Sequence, residues 1–430
     1  MTSSNPQCHA AWAFRRAACI GILASLTPAY ASQFEAIPVI DTGVLHETNP
    51  RLDNDNEDDA TGLIVDGRLN MEWASERTQL AVLPRARFGF YADSDDKDLE
   101  DKDYWLRSVL GHQSQLSTYE VSGGYSDVAV RSSEVESAGG DPSGSGGFRR
   151  VDDSRETWDA GGAWSRQFTP LDRFSARASY TDVSFDRRTS GRVPYEYKSG
   201  SLTYERTITS KWAAGILFDA SRFESKADEI NTSNTSDTLG FSGFANYAFT
   251  PTVTGSVYAG RRTTDIEIDR PPIPGTDICF TPNLGIVSCN EKTDGQNFVG
   301  TASLSKQAER TSYDLSINRS ISPNSNGAET LRDTIDVTAR HQFTRRLTGK
   351  VGLLYFTQED AADLTNRKRD YVSAQFDLNW RMTEYWSIRG AYRYVNDKDD
   401  TSFTGGNINE DATNNYFYVG VRYQGQGWRR

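Results

Sequence analysis

The chain alternates apolar and polar residues with a period of two over several long segments. From Val372 to Met382 the even-numbered residues are apolar, and from Ser373 to Arg381 the odd-numbered residues are polar. The same alternation covers 63–73, 335–343, 386–394 and 417–423. Successive side chains of a strand point to opposite faces of a sheet, so the pattern predicts strands with one apolar and one polar face. At about 10 to 14 residues, these strands match tilted bilayer-spanning strands better than the strands of soluble sheets.

The connections between the strands alternate in length. Eight tight turns fall near positions 75, 115, 169, 209, 250, 310, 345 and 383. Nine longer polar segments cover 46–60, 92–102, 132–153, 187–194, 225–236, 268–294, 322–330, 358–368 and 397–412. Eight short and nine long connections predict about 18 strands, with 16 as the alternative count, and both chain ends on the short-turn side. Short periplasmic turns and long extracellular loops are typical of outer-membrane barrels.

A threonine recurs at five of the tight turns, each time after a bulky apolar residue: Thr169, Thr209, Thr250, Thr344 and Thr383. The spacing indicates a repeating hairpin of about 40 residues. A soluble β-propeller has a similar period, but each of its blades needs four short strands, whereas each period here carries two long ones. We therefore predict an all-β fold, a transmembrane antiparallel up-and-down β-barrel. Pro84 interrupts the strand over 79–91, so a bulge is expected there.

Composition excludes a helical membrane protein. The mean hydropathy is −0.63, and after residue 31 no apolar run approaches the ~20 residues that a transmembrane helix needs. An aromatic content of 11% argues against disorder. Tryptophans beside the short turns, as in an interfacial girdle, favour a membrane location; they are Trp73, Trp164, Trp212, Trp380 and Trp386.

The first 31 residues predict a signal peptide for export. Arg15 and Arg16 precede an apolar stretch, 17–26, and the small residues Ala29 and Ala31 fit a peptidase site before Ser32. A buried N-terminal helix is the alternative. Residues 32–430 then form a single barrel domain, which we expect in the outer membrane of a Gram-negative cell.

Two cysteines remain after cleavage, Cys279 and Cys289, in a segment rich in Pro and Gly. In an oxidising compartment this pair predicts a disulfide that closes a small loop. A metal site would need further His or Cys ligands nearby, and the four histidines are scattered along the chain. Neither a metal nor another cofactor is predicted. No G-x-S-x-G, H-E-x-x-H or Walker pattern occurs, so we do not expect an enzyme.

The net charge of −12 is concentrated in three long segments, 46–60, 92–103 and 397–411. The densest acidic run forms a predicted rim of Asp53, Asp55, Glu57, Asp58 and Asp59. Such a rim either holds divalent cations that bridge lipopolysaccharide phosphates or is simply solvated and repulsive.

Arginines recur on the polar face of the strands. The lumen-facing candidates are Arg68, Arg85, Arg87, Arg340, Arg381, Arg389, Arg393 and Arg422. A guanidinium offers paired donors to carboxylates and stays charged, so these side chains could ease the passage of an acidic glycan. Alternatively, they pair with lumen Asp and Glu on neighbouring strands. The sequence leaves both interpretations open.

Three segments resemble the opening of a known family: Asp41–Pro50, the strand over Leu63–Trp73, and Leu80–Tyr91 with acidic residues after it. The family is that of the outer-membrane β-barrel porins often encoded beside exopolysaccharide or capsule synthesis genes. The resemblance implies a conduit for a secreted polysaccharide, set among outer-membrane lipid and lipopolysaccharide and working with a periplasmic export protein.

Two other functions remain open from the residues. One is a passive diffusion porin for small anions or sugars, and the other is a structural or adhesion barrel with acidic loops that bind a surface partner. An 18-stranded barrel encloses an aqueous channel unless loops fold inward. The segment around Cys279 and Cys289 is the expected constriction. No basic patch interleaved with aromatic residues points to nucleic acid.

Overall fold

A computed structural model of the chain describes residues 33–50, 52, 59–92, 101–129, 154–186, 192–225, 233–269, 279–281, 285–287, 289–324, 329–360, 367–403 and 406–429. The predicted signal peptide lies outside these residues, as do Asp53, Asp55, Glu57 and Asp58 of the predicted acidic rim. Asp59 is described and is exposed just before a strand begins.

Eighteen long antiparallel strands form one sheet that closes on itself. They are β1 (Gln33–Glu47), β2 (Ala60–Ala74), β3 (Thr78–Tyr91), β4 (Asp101–Gln113), β5 (Ser117–Ala129), β6 (Ser154–Gln167), β7 (Asp172–Phe185), β8 (Tyr195–Thr207), β9 (Trp212–Ser225), β10 (Ser233–Thr250), β11 (Val253–Asp269), then β14 (Asn290–Gln307), β15 (Thr311–Pro323), β16 (Glu329–Gln342), β17 (Leu347–Asp360), β18 (Arg367–Arg381), β19 (Trp386–Phe403) and β20 (Gly406–Gln424). Each strand pairs with the next, and β1 pairs with β20 to close the barrel. The prediction of an 18-stranded antiparallel barrel is confirmed.

Three short strands complete the fold. β12 (Cys279–Thr281) and β13 (Gly285–Val287) form a separate hairpin between β11 and β14. β21 (Trp428–Arg429) pairs with the start of β1.

Within the described ranges, no helix is long and apolar enough to cross a membrane.

The predicted pattern of short and long connections is present, with one difference. The last long loop was expected over 397–412, but β19 continues to Phe403 and β20 begins at Gly406. The extension carries charged pairs such as Lys398 with Asp411, 3.2 Å apart. Backbone pairing does not need apolar side chains, so the hairpin continues after its apolar face ends, and cross-strand charge pairs replace apolar contacts there.

The recurring threonines each brace a tight turn. The Thr169 hydroxyl accepts from the backbone N–H of Asp172 at 3.0 Å, and Thr383 accepts from Trp386 at 3.0 Å. Thr209, Thr250 and Thr344 make equivalent bonds to residues two or three positions on. A hydroxyl that holds the backbone two or three residues ahead is a local turn-forming device, which explains why the sequence repeats it.

The outer face of the wall is apolar. In β1, Ile40 is 47% exposed while Asp41, next to it, is 6% exposed. In β20, Val419 is 66% exposed while Tyr418 is 8% exposed. Tryptophans beside the short turns share this exposed face, namely Trp212, Trp380 and Trp386. In a closed barrel an exposed apolar face meets lipid, and the aromatic residues sit at its interfacial girdle.

Polar side chains on the other face make contacts that skip a strand. Arg262 of β11 lies 2.9 Å from Asp219 of β9, across β10. Asn246 of β10 donates to Glu205 of β8 at 3.2 Å, across β9. Only the concave side of a closed wall brings alternate strands this close, so this polar face is the inner one.

Pro84 interrupts the backbone pairing between β2 and β3, but no extra residue is inserted as in a β-bulge. Pairing of β2 with β3 stops at Arg68↔Arg85 and resumes at Met71↔Val82, with the same register on both sides. Pairing of β3 with β4 continues through Pro84. The expected bulge is therefore wrong: because proline has no N–H to donate, the ladder opens locally on the β2 side instead.

Placing a charge on the outer face should destabilise the barrel. We expect Val419→Arg to cost about 2–4 kcal/mol, because the guanidinium would face hydrocarbon near the middle of the membrane. Thr338→Arg, on the inner face of β16 opposite Asp314, should change stability by less than about 1 kcal/mol. Urea titration in lipid vesicles measures both, and equal effects would contradict the assignment of the two faces.

Candidate functional site

Six of the eight predicted arginines lie together on the inner face of adjacent strands. β19, β20, β1, β2 and β3 are consecutive around the closure of the barrel. They carry Arg389 and Arg393, Arg422, Asp41, Arg68, and Arg85 and Arg87 respectively. We call this surface the arginine wall. Most of its charged residues, together with Tyr416 and Tyr418, line a single cavity.

Asp41 links three strands at the centre of the arginine wall. One of its carboxylate oxygens accepts from Arg389 at 2.8 Å and from Arg422 at 2.7 and 2.9 Å. The other accepts from the Tyr418 hydroxyl at 2.6 Å. The buried carboxylate is thus satisfied by two guanidinium groups and a phenol, which tie β19 and β20 to β1.

Two glycines let Tyr418 reach Asp41. A side chain on Gly420 would meet the Tyr418 hydroxyl at 2.1 Å, and one on Gly43 would meet the Tyr418 ring at 2.7 Å. The ring therefore lies flat against backbone that only glycine leaves free. This packing places the tyrosine hydroxyl beside the carboxylate.

Two more ion pairs extend the wall along β2, β3 and β4. Arg85 binds Asp66 through both Nε and Nη2, at 2.6 to 3.1 Å, and stacks over the Trp105 ring at 4.3 Å. Arg87 binds Asp103, which is 0% exposed, at 2.7 and 2.8 Å. Fork-like pairing fixes both guanidinium groups, so these arginines serve the structure of the wall.

Three arginines in and beside the wall, on β2, β4 and β19, have no carboxylate within ion-pair distance among the residues that the structure describes. Arg68 is exposed to the lumen, opposite Arg85 in the ladder. Arg393 lies 4.9 Å from the Tyr416 ring, and its buried Nε has no hydrogen-bond partner. Arg107 of β4 is exposed on the same face as Trp105. The wall thus combines structural pairs with free cations.

The other two predicted arginines lie apart from the wall. Arg381 is exposed and donates to the backbone carbonyl of Arg345 in a tight turn, at 3.0 Å. Arg340 is exposed at the short-turn end of β16, opposite Lys350.

The sequence pattern missed several members of the site. Asp41 interrupts an otherwise apolar strand, and β4 alternates poorly, so the alternation does not single out Asp41, Asp103, Trp105 or Arg107. The sequence signal for the site was Asp41 itself, an acidic residue at an inward-facing position of an otherwise apolar strand. Its partners lie more than 340 residues away, as with Arg389, and only closure of the barrel brings them together.

Toward the long loops, the inner face carries packed, buried side chains. Leu52, from the connection after β1, joins a buried cluster with Phe356, Tyr371, Val395 and Ala412 on the inner face of β17 to β20. The rings of Phe356 and Tyr371 stack with centroids 4.8 Å apart. Thr48 and Asn49 hold the start of this connection to β20 through bonds with Asn415 and Asn414. Leu52 therefore packs inside the barrel.

Charged groups cover the same cluster. Arg332 stacks over Phe356 at 4.4 Å and donates to Gln358 at 2.7 Å. Arg369 forms a buried ion pair with Asp397 at 2.5 Å.

A second cluster covers the inner face on the opposite side of the barrel. Val183, Phe185, Tyr195 and Phe223 form it, on β7, β8 and β9. Arg155 of β6 donates to the Tyr195 hydroxyl at 3.1 Å, across β7.

A polar bond spans the same end of the lumen. Ser236 of β10 donates to Glu329 of β16 at 2.6 Å, with three strands between them.

Burial on the inner face changes along the barrel. Toward the short turns, inward residues such as Glu72, Arg177 and Gln342 are exposed to the lumen. Toward the long loops, inward residues such as Phe223 and Phe356 are buried. The lumen is therefore open on the short-turn side and narrows toward the long-loop mouth.

The structure contains the disulfide between Cys279 and Cys289, with their Cα atoms 5.1 Å apart, in the β12–β13 hairpin. Cys279 is fully buried. The constriction expected at this segment stays a prediction; a described loop residue that does pack inside the barrel is Leu52. No group of three His, Cys, Asp or Glu in the described part of the chain could hold a metal ion.

Removing the charge of Asp41 should weaken closure of the barrel. We expect Asp41→Asn to cost about 3–5 kcal/mol, because two partly buried guanidinium groups lose their counter-charge. Asp333→Asn is the matched control, since Asp333 pairs with Arg319 at 3.1 Å with both side chains more than 40% exposed, and should cost less than about 1 kcal/mol. Urea unfolding measures the stability of both variants. A small loss of stability in Asp41→Asn would show that closure of the barrel does not depend on the charge of Asp41.

Comparison with known proteins finds similar solved structures only, at low identity. No protein-family model matches the chain, and no curated protein matches it. The FrpB iron transporter of Neisseria meningitidis (F3-3 variant) is similar in structure with a TM-score of 0.49 and 8% identity, over 94% of this chain and 83% of that one. The ferric-catecholate import receptor Fiu of E. coli K12 gives 0.47 and 8%, over 93% and 82%.

OccAB3 of Acinetobacter baumannii gives a TM-score of 0.41 and 10% identity, over 92% of this chain and 99% of that one. These TM-scores lie below 0.5, so the conclusion about the fold comes from the chain's own strand pairing and exposed apolar face. The chain is a closed 18-stranded antiparallel β-barrel of the outer-membrane type.

Proposed function

We propose that this protein is an outer-membrane conduit through which a polysaccharide is secreted, working with a periplasmic export partner. The observation that carries the proposal is the lumen itself: a polar wall with aromatic rings leads from an open short-turn end to a packed long-loop mouth. Hydroxyl-rich chains find hydrogen-bond partners on such a wall, and sugar rings stack on aromatic faces. The conduit is passive, with the driving force coming from synthesis at the inner membrane.

The packed mouth favours an exporter over a permanently open pore. Phe356, Tyr371 and Leu52 are buried although they face the lumen. A passage at this end requires that they separate. A channel for a polymer that is not made continuously benefits from staying closed between transport events. An open channel in an 18-stranded barrel would let small solutes leak across the membrane.

A passive porin for small anions is the second candidate, and the arginine wall favours it. Free guanidinium groups attract anions of any size and would bias permeability toward them. The packed mouth argues against this candidate, since a diffusion porin needs a continuous aqueous path.

Conductance separates the two functions. We expect the wild-type protein to conduct poorly in planar bilayers, and the double variant Leu52→Ala, Phe356→Ala to conduct at least severalfold better, because truncation opens the packed cluster. Val351→Ala, on the outer face of the same strand β17, is the control and should conduct like the wild type. A large, steady wild-type channel would favour the porin.

Secretion tests the proposal in cells. We expect deletion of the gene to abolish surface polysaccharide, with restoration by the wild-type copy, because no other route would cross the outer membrane. Quantifying cell-surface and periplasmic sugar in both strains is the measurement. Normal surface polysaccharide in the deletion strain would reject secretion as the function.

A further inference from the structure

We infer that the free arginines of the inner wall bind carboxylate groups of an acidic polysaccharide, so that the transported polymer carries uronate-like sugars. The inference rests on the proposed function and names its substrate class. The site consists of Arg68 and Arg107, on either side of Arg85 and Trp105, with Arg393 beside Tyr416 as a further position along the wall.

The first argument is the pairing of the wall's charges. Asp66 is fully engaged by Arg85, and Asp41 by Arg389 and Arg422. Among the described residues this leaves Arg68 without a carboxylate within ion-pair distance. Asp103 is likewise engaged, by Arg87 and by a backbone N–H at 2.8 Å. The wall's own anions are therefore committed to structural pairs.

The second argument is the position of Arg68 among like charges. It lies directly opposite Arg85 in the β2–β3 ladder, and Arg422 also acts on it electrostatically, while Asp66 and Asp41, both engaged by other arginines, act on it in the opposite sense. Like charges placed opposite each other on one face of a sheet destabilise it. A bound anion would relieve this repulsion, and the lumen-exposed side of Arg68 is where one can reach it.

The third argument is the aromatic surface beside the free cations. The Trp105 ring lies under Arg85 in the gap between Arg68 and Arg107. Tyr416 lies under Arg393. The rings hold the Arg85 and Arg393 guanidinium groups in place by stacking. A carboxylated sugar presents a charged group to which the free arginines offer fork-shaped donors.

Binding measurements on the purified full-length protein in detergent test the inference. The ligands are a galacturonate hexamer, a maltose-type glucose hexamer of equal length without charge, and the galacturonate monomer. Isothermal titration calorimetry should show that the charged hexamer binds at least about tenfold more tightly than either other ligand, because several charge-assisted bonds form along one chain. The affinity should fall as salt is raised.

Variants locate the site. Arg68→Gln with Arg107→Gln should weaken binding of the charged hexamer at least about tenfold, and each single change should weaken it by a smaller factor. Arg381→Gln removes the same charge from the turn-bound arginine and should bind like the wild type. Slower migration of boiled than unboiled samples in gels verifies that each barrel is folded. Should the double variant not fold, the single variants and the wild-type ligand comparison still decide.

Several results would overturn the inference. Equal binding of charged and neutral hexamers would remove the carboxylate preference. Full binding by the folded double variant would remove the site. Monomer binding as tight as hexamer binding would indicate a small-anion site. Secretion is measured separately in the deletion strain: lost surface polysaccharide with no preference for the charged hexamer rejects only this inference, whereas normal surface polysaccharide with preferential binding rejects only secretion.

Discussion

Closure of the sheet is the constraint on which the rest of this structure depends. In lipid, every backbone N–H and C=O must be bonded within the protein, and a ring of strands satisfies that demand without leaving an edge. The strand pairing that closes the barrel is that of β1 with β20, from Val39↔Gln424 to Glu47↔Tyr416. Asp41 lies in this pairing and binds side chains from β19 and β20. The charged groups of the lumen therefore also secure the wall.

This double role explains how the arginine wall divides. Arginines with carboxylate partners hold neighbouring strands in register. The close packing of Tyr418 over Gly43 and Gly420 supports the same strands by steric fit. Arginines outside these pairs contribute little to cohesion and face the solvent of the lumen. An inner-face arginine with a carboxylate within ion-pair distance on one of the next two strands serves the structure. An inner-face arginine without such a partner is available to a solute.

The sequence predicts the fold better than the site, for a physical reason. Period-two alternation and threonine turns are local, so β16, β18 to β20 and the tight turns could be placed from neighbouring residues alone. The inward phase of Arg85 and Arg389 follows from the same alternation. Their partners do not: Asp41 meets Arg389 only because the ends of the chain become neighbours, and Leu52 enters the lumen through a loop without periodicity. Pro84 shows a further limit of sequence analysis. A proline in a strand indicates that backbone pairing is disturbed, but it does not show whether the strand bulges or the pairing opens.

The narrowing of the lumen has a consequence for any polymer that enters it. A flexible chain at the wide end samples many shapes, and each segment that advances toward the Phe356 and Tyr371 cluster must straighten and give up that freedom. Confinement therefore opposes entry with an entropic force that grows with the threaded length. Linear, unbranched chains suffer it least, because they have the fewest shapes to give up.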